Sequence, residues 1–65
     1  MIIQYSQVIL STSRFQCEGL EPGIIGYVLE CYPDGNFEVE FSDENGITID
    51  VVVVTEYEIK LASSK

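Results

Sequence analysis

The sequence predicts an all-β fold, a small barrel of five short strands with one short helical turn before the last. Three observations carry that expectation. Apolar residues recur at period two in several short runs. Clusters of Gly, Pro, Asn and Asp punctuate those runs at turn-like intervals. A stretch of four valines, Val51 to Val54, combines β-branched side chains that lose freedom in helices and pack well on a pleated surface. With 65 residues the chain has room for one domain, residues 1–65, and a domain of that length buries only about 60% of the surface its unfolded chain exposes. Curling a sheet into a barrel is an efficient way to gain a core and to remove exposed edges.

The first strand is expected over Tyr5 to Leu10, with Val8 and Leu10 on one face. From Ser11 to Gly23 the apolar pattern is lost, giving a loop that is long for so small a domain. Pro22-Gly23 should reverse the chain, because Pro presets φ at the first central position of a turn and Gly supplies the positive φ of the second. A second strand runs from Ile25 to Tyr32, with Ile25, Tyr27, Leu29 and Cys31 on one face and Val28, Glu30 and Tyr32 on the other. After the Pro33-Asp34-Gly35-Asn36 turn, Phe37-Glu38-Val39-Glu40-Phe41 alternates without fault and is the clearest strand. Asp43-Glu44-Asn45-Gly46 makes the next hairpin turn, with Asn45-Gly46 suited to left-handed backbone angles.

Ile47 to Val54 forms the fourth strand, whose alternation stops at Val51. A run that is apolar on both faces implies burial on both, by the barrel interior or by another chain. Thr55-Glu56-Tyr57-Glu58 has capping-box spacing and predicts the helical turn. Ile59 and Leu61 fit a closing strand, and Ala62 to Lys65 should fray. The expected core is Val8, Leu10, Val28, Phe37, Val39, Phe41, Ile49 and Val51.

Charge narrows the function classes. Lys and Arg number 3 against 11 Asp and Glu, for a net charge of −8, and there is no His. Arg14, Lys60 and Lys65 cannot form the basic stripe on which phosphate-backbone affinity depends, so nucleic acid is disfavoured. An anionic membrane surface is disfavoured on the same ground, and no apolar stretch approaches the roughly 20 residues of a membrane span. A protein is the expected partner, and a basic one suits the charge. The surplus of acid also serves solubility alone.

Cys17 and Cys31 lack the spacing and companion ligands of a structural zinc site. No disulfide-dense pattern is present, and Met1-Ile2-Ile3-Gln4 has no basic leader or extended apolar core. The chain therefore reads as a cytoplasmic protein with two free thiols, a single Cys17–Cys31 disulfide remaining the alternative.

The set Gly19-Leu20-x-x-Gly23-x-x-Gly26-x-Val28, Tyr32-Pro33-Asp34-Gly35, Phe37-Glu38-Val39-Glu40-Phe41, then Asp43 and Gly46, resembles a family of short bacterial proteins catalogued only as a domain of unknown function. The resemblance covers nearly the whole chain and implies an SH3-like barrel; it implies no activity. The Gly-x-x-Gly-x-Val element is also similar to a motif of ribosomal and transcription-factor barrels, which are basic where this chain is acidic. Ile24 and Tyr27 depart from the family pattern, standing where it tends to have a polar and a small residue. Together with the valine run they add apolar surface near a strand edge and make a homodimer compatible with the sequence.

Catalysis needs a base or nucleophile with an orienting partner. Glu38 and Glu40 lie about 7 Å apart on one strand face, a pattern that ordinarily keeps a sheet soluble. Cys17 beside Glu18 lacks the electropositive surroundings that make a thiolate. Asp43, Glu44, Asn45 and Asp50 lack calcium-loop spacing and read as a solvated hairpin tip. No enzyme and no cofactor are expected. The candidate partner-binding residues are Tyr5, Phe15, Tyr32 and Tyr57, able to line a groove beside the long loop, with Glu38 and Glu40 favouring Arg- or Lys-bearing peptides. SH3 barrels that bind proline-rich peptides usually centre on a Trp, which this chain lacks. The sequence thus predicts a non-enzymatic protein-binding module with an acidic surface. Two alternatives stand beside it: a nucleic-acid-binding small barrel by analogy with the glycine-motif domains, and an accessory subunit of an enzyme complex.

Overall fold

The structure is a computed structural model that describes residues 2–62. Its strands are β1 (Gln7–Leu10), β2 (Ile25–Cys31), β3 (Asn36–Ser42), β4 (Thr48–Thr55) and β5 (Ile59–Leu61). They form one antiparallel sheet in the order β4-β3-β2-β1-β5. Consecutive hairpins join β2, β3 and β4, and β5 returns to lie beside β1 with Leu10 opposite Ile59. Among the described residues β4 and β5 end the order without pairing, so the ladder does not close as the barrel expectation required. The sheet is nevertheless strongly bent, because Val54 of β4 and Ile59 of β5 enter the same buried cluster as Val8, Leu10, Val28, Val39 and Phe41.

The turns follow their chemistry. Ile24 donates its N–H to the Glu21 carbonyl at 3.2 Å around Pro22-Gly23, with Gly23 at φ 99°. In the β3–β4 turn only Gly46 takes a positive φ, at 81°, and Asn45 stays in the ordinary region. There the Asp43 carboxylate accepts the N–H groups of Asn45 and Ile47 at 2.9 and 3.0 Å, and it is the Asp side chain that organises the tip.

Several expectations are corrected. β1 begins at Gln7, because Tyr5 sits at φ 70°, a left-handed angle that interrupts extended backbone. The segment 55–58 is a hydrogen-bonded turn rather than a helix. Its one internal backbone bond, Glu58 N–H to Thr55 carbonyl at 3.1 Å, spans the whole connection before β5 starts. The capping-box chemistry survives, since Glu58 Oε1 accepts the Thr55 N–H at 2.9 Å and Thr55 Oγ1 accepts the Tyr57 N–H at 3.3 Å. The short helix lies instead at Gln16–Glu18, a single 3₁₀ turn ended by Gly19 at φ 86°.

The core differs at one strand and one loop. Ile49 and Val51 are exposed by 40% each, whereas Val54 is buried and Val52 packs against the core. A register shift opposite Phe41 and Ser42 inserts an extra residue at the start of β4, and this sets which valines face inward. Phe37 packs partly buried against the cluster. The long loop supplies two plugs absent from the expected core, Phe15 and Leu20. Among the described residues no helix is long and apolar enough to cross a membrane. The expected fraying of Ala62 to Lys65 falls mostly outside the described residues.

Candidate functional site

The six residues expected to bind a partner do not converge. Phe15 is a core residue, exposed by only 7%, and the Arg14 guanidinium carbon stands 4.2 Å from its ring centroid. Phe15 therefore leaves the list of surface candidates: the loop must bury something to hold its place on the core, and this ring does so. Tyr5 and Tyr57 are largely exposed and stand on separate turns. Only Tyr32 and Glu38 meet, the phenol donating to Glu38 Oε1 at 3.1 Å. That bond raises the Tyr32 phenol above its ordinary value, because ionising it would remove the proton the carboxylate accepts and set two negative groups together. Glu40 accepts a hydrogen bond from Thr48 Oγ1. On the outer face it lies between Tyr27 and Val51, its register partners on β2 and β4.

Arg14 and Glu58 join the long loop to the turn before β5. The guanidinium engages both carboxylate oxygens, Nε to Oε2 and Nη2 to Oε1 at 2.9 Å, a two-bond fork. The fork, with smaller help from the Thr55 N–H, holds the Glu58 carboxyl below its ordinary value of 4.5. A depressed carboxyl contributes stability that is present above that ordinary value and lost as pH falls through the folded one. Acid unfolding of wild type and Glu58→Gln should therefore converge at low pH, the variant having no such loss at this position. Parallel curves down to the lowest pH at which both fold would contradict the assignment.

A second feature was not among the expected site residues. An open groove of about 500 Å³ lies between the loop segment 19–25 and the β3–β4 hairpin. Ile24, Ile25 and Ile49 supply its apolar surface and Glu21, Asp43 and Glu44 its acid; among the described residues no Lys or Arg lines it. Gly19 suits its place because it ends the 3₁₀ turn at φ 86°, a left-handed angle that L side chains rarely adopt. The Glu21 carboxylate is held by the Gln16 side-chain amide at 3.0 Å, and Asp43 by its own turn. Two segments distant in sequence build the groove, so periodicity could not reveal it. The one sequence signal was Ile24, an apolar residue directly after a Pro-Gly turn and against the family pattern. Both cysteines are free and exposed, and no three His, Cys, Asp or Glu among the described residues form a metal-binding group.

Fold and surface together define a small all-β domain with an acidic exterior and a shallow groove. The chain belongs to the family DUF4926, a domain of unknown function, whose model matches residues 5–61. No curated protein and no solved structure matches it.

Proposed function

We propose that the chain is a non-enzymatic protein-binding module of SH3-like topology that receives a basic segment of a partner protein in the groove between the long loop and the β3–β4 hairpin. The carrying observation is the groove's composition, isoleucines beside carboxylates with no basic residue among the described ones. A Lys or Arg side chain matches both parts, its alkyl stem packing on apolar surface while its charge stays among acids. The strand order, with β5 returning to β1 after a run of hairpins, supports the SH3-like reading. The net charge of −8 steers a basic partner to any face of the molecule.

The test is a titration of isotope-labelled protein with capped Arg-Leu-Arg, and with Glu-Leu-Glu as control, read by amide shifts at low and moderate salt. Affinity for so short a ligand should be about millimolar. Shifts centred on Gly23, Ile24 and Ile49 with the basic peptide alone, abolished in Ile49→Lys, are the expected outcome. Shifts spread evenly over the acidic surface, or none, would overturn the reading.

A further inference from the structure

Hydrogen-bond parity in the sheet fixes which backbone groups of β4 face outward. Val28 donates its N–H to the Ser6 carbonyl at 2.9 Å and accepts the Tyr5 N–H at 2.7 Å, so both its polar groups point away from β3, toward the β1 side. Successive residues of a strand point to opposite neighbours. Tyr27 then bonds toward β3 and its partner Glu40; Val39, next along β3, bonds toward β4 and Val52. Val51, Val53 and Thr55 are left aiming their N–H and carbonyl groups off the sheet. Among the described residues β4 has no neighbour on that side.

Two of those three outward N–H groups are already occupied. Val51 N–H donates to its neighbour Asp50 Oδ1 at 2.8 Å, and Thr55 N–H to Glu58 Oε1 at 2.9 Å. Glu58 is itself pinned by the Arg14 fork, and its own N–H donates to the Thr55 carbonyl. The stretch Val51 to Thr55 contains no Lys, Pro or bulge, the usual guards of an edge. The two carboxylates take their place.

We infer that the β4 edge is a strand-pairing surface for a second copy of this chain, held shut in the wild-type protein by Asp50 and Glu58. An antiparallel pair with Val53 opposite Val53 of the second copy is self-complementary, β-branched residues meeting β-branched residues throughout. To form it, the incoming strand must displace side-chain oxygens already seated on the Val51 and Thr55 N–H groups, and the charge they carry adds to that hold. The wild-type chain is monomeric for that reason. This inference is independent of the groove.

The experiment is sedimentation mass at two protein concentrations. Asp50→Ala/Glu58→Ala removes both acceptors. Asp50→Asn/Glu58→Gln removes the same charge and keeps an acceptor oxygen at each position. The alanine pair should rise with concentration from 7.3 kDa toward twice that mass, while wild type and the amide pair stay at monomer mass. Adding Val53→Pro to the alanine pair, which deletes an outward N–H without touching the β3 ladder, should restore the monomer. Should the alanine pair lose its cooperative unfolding transition, Asp50→Ala against Asp50→Asn asks the same question with the Arg14 fork intact. A monomeric alanine variant, equal association of the alanine and amide variants, or a wild-type dimer would each overturn the inference.

Discussion

Replacing Phe41 with Ala should cost about 3–5 kcal/mol, read as a lowered urea midpoint at unchanged slope. Phe41 is fully buried and is the largest of the side chains the structure shields completely. It lies on β3 opposite Gly26 of β2 and Asp50 of β4, so its ring serves three strands at once. A domain of this length holds only about 3–10 kcal/mol in all. The variant should therefore be partly unfolded at room temperature. A loss below about 1 kcal/mol would mean that the core collapses freely around the gap and that Phe41 is not its centre.

The second large effect is expected at Gly26, for a steric reason. Its backbone angle is one any residue can adopt, yet a β-carbon there would lie 2.6 Å from Phe41 Cδ1 and 2.7 Å from Val39 Cγ1. Real β-carbons do not approach so closely, so Gly26→Ala must push the Phe41 ring or part the two strands. Overpacking of this kind costs about 1–3 kcal/mol. The two substitutions share one space, and the sharper measurement is the double variant. Alanine at position 41 vacates the volume that alanine at position 26 invades, so the pair should be destabilised by less than the sum, with a coupling of about 1 kcal/mol or more. Strict additivity would show that the collision is relieved by backbone movement instead.

Much of this arrangement was legible in the residues. The alternation of Phe37 to Phe41 placed β3, and the turn chemistry of Pro22-Gly23 and Asp43 to Gly46 placed the reversals. Ile59 and Leu61 were legible as a closing strand because they alternate directly after the Thr55–Glu58 turn signal. Phe15 and Leu20 were not legible as core, since a loop that plugs a sheet has no period to betray it. The valine run concealed its own orientation: four apolar residues in a row carry no parity, and the extra residue opposite Phe41 and Ser42 decides it. The glutamates at 38 and 40 were correctly placed on the outer face, but the groove beside Ile49 arises from the meeting of a loop and a hairpin. The carboxylate guards of β4 depend on a hydrogen-bond parity that passes through four strands.

The pairing of β5 with β1 has a kinetic meaning. Every other neighbour in the sheet except β1–β2 is reached through a tight turn, and β2, β3 and β4 can zip together within local hairpins. The last strand must find the first across nearly the whole chain, and the entropy of closing that loop is spent before three residues of ladder repay it. The β2–β4 meander should thus form ahead of the barrier, and the two terminal strands should dock after it. In the native state the same asymmetry runs backwards, with β5 the first strand to exchange its amide hydrogens and β3 the last.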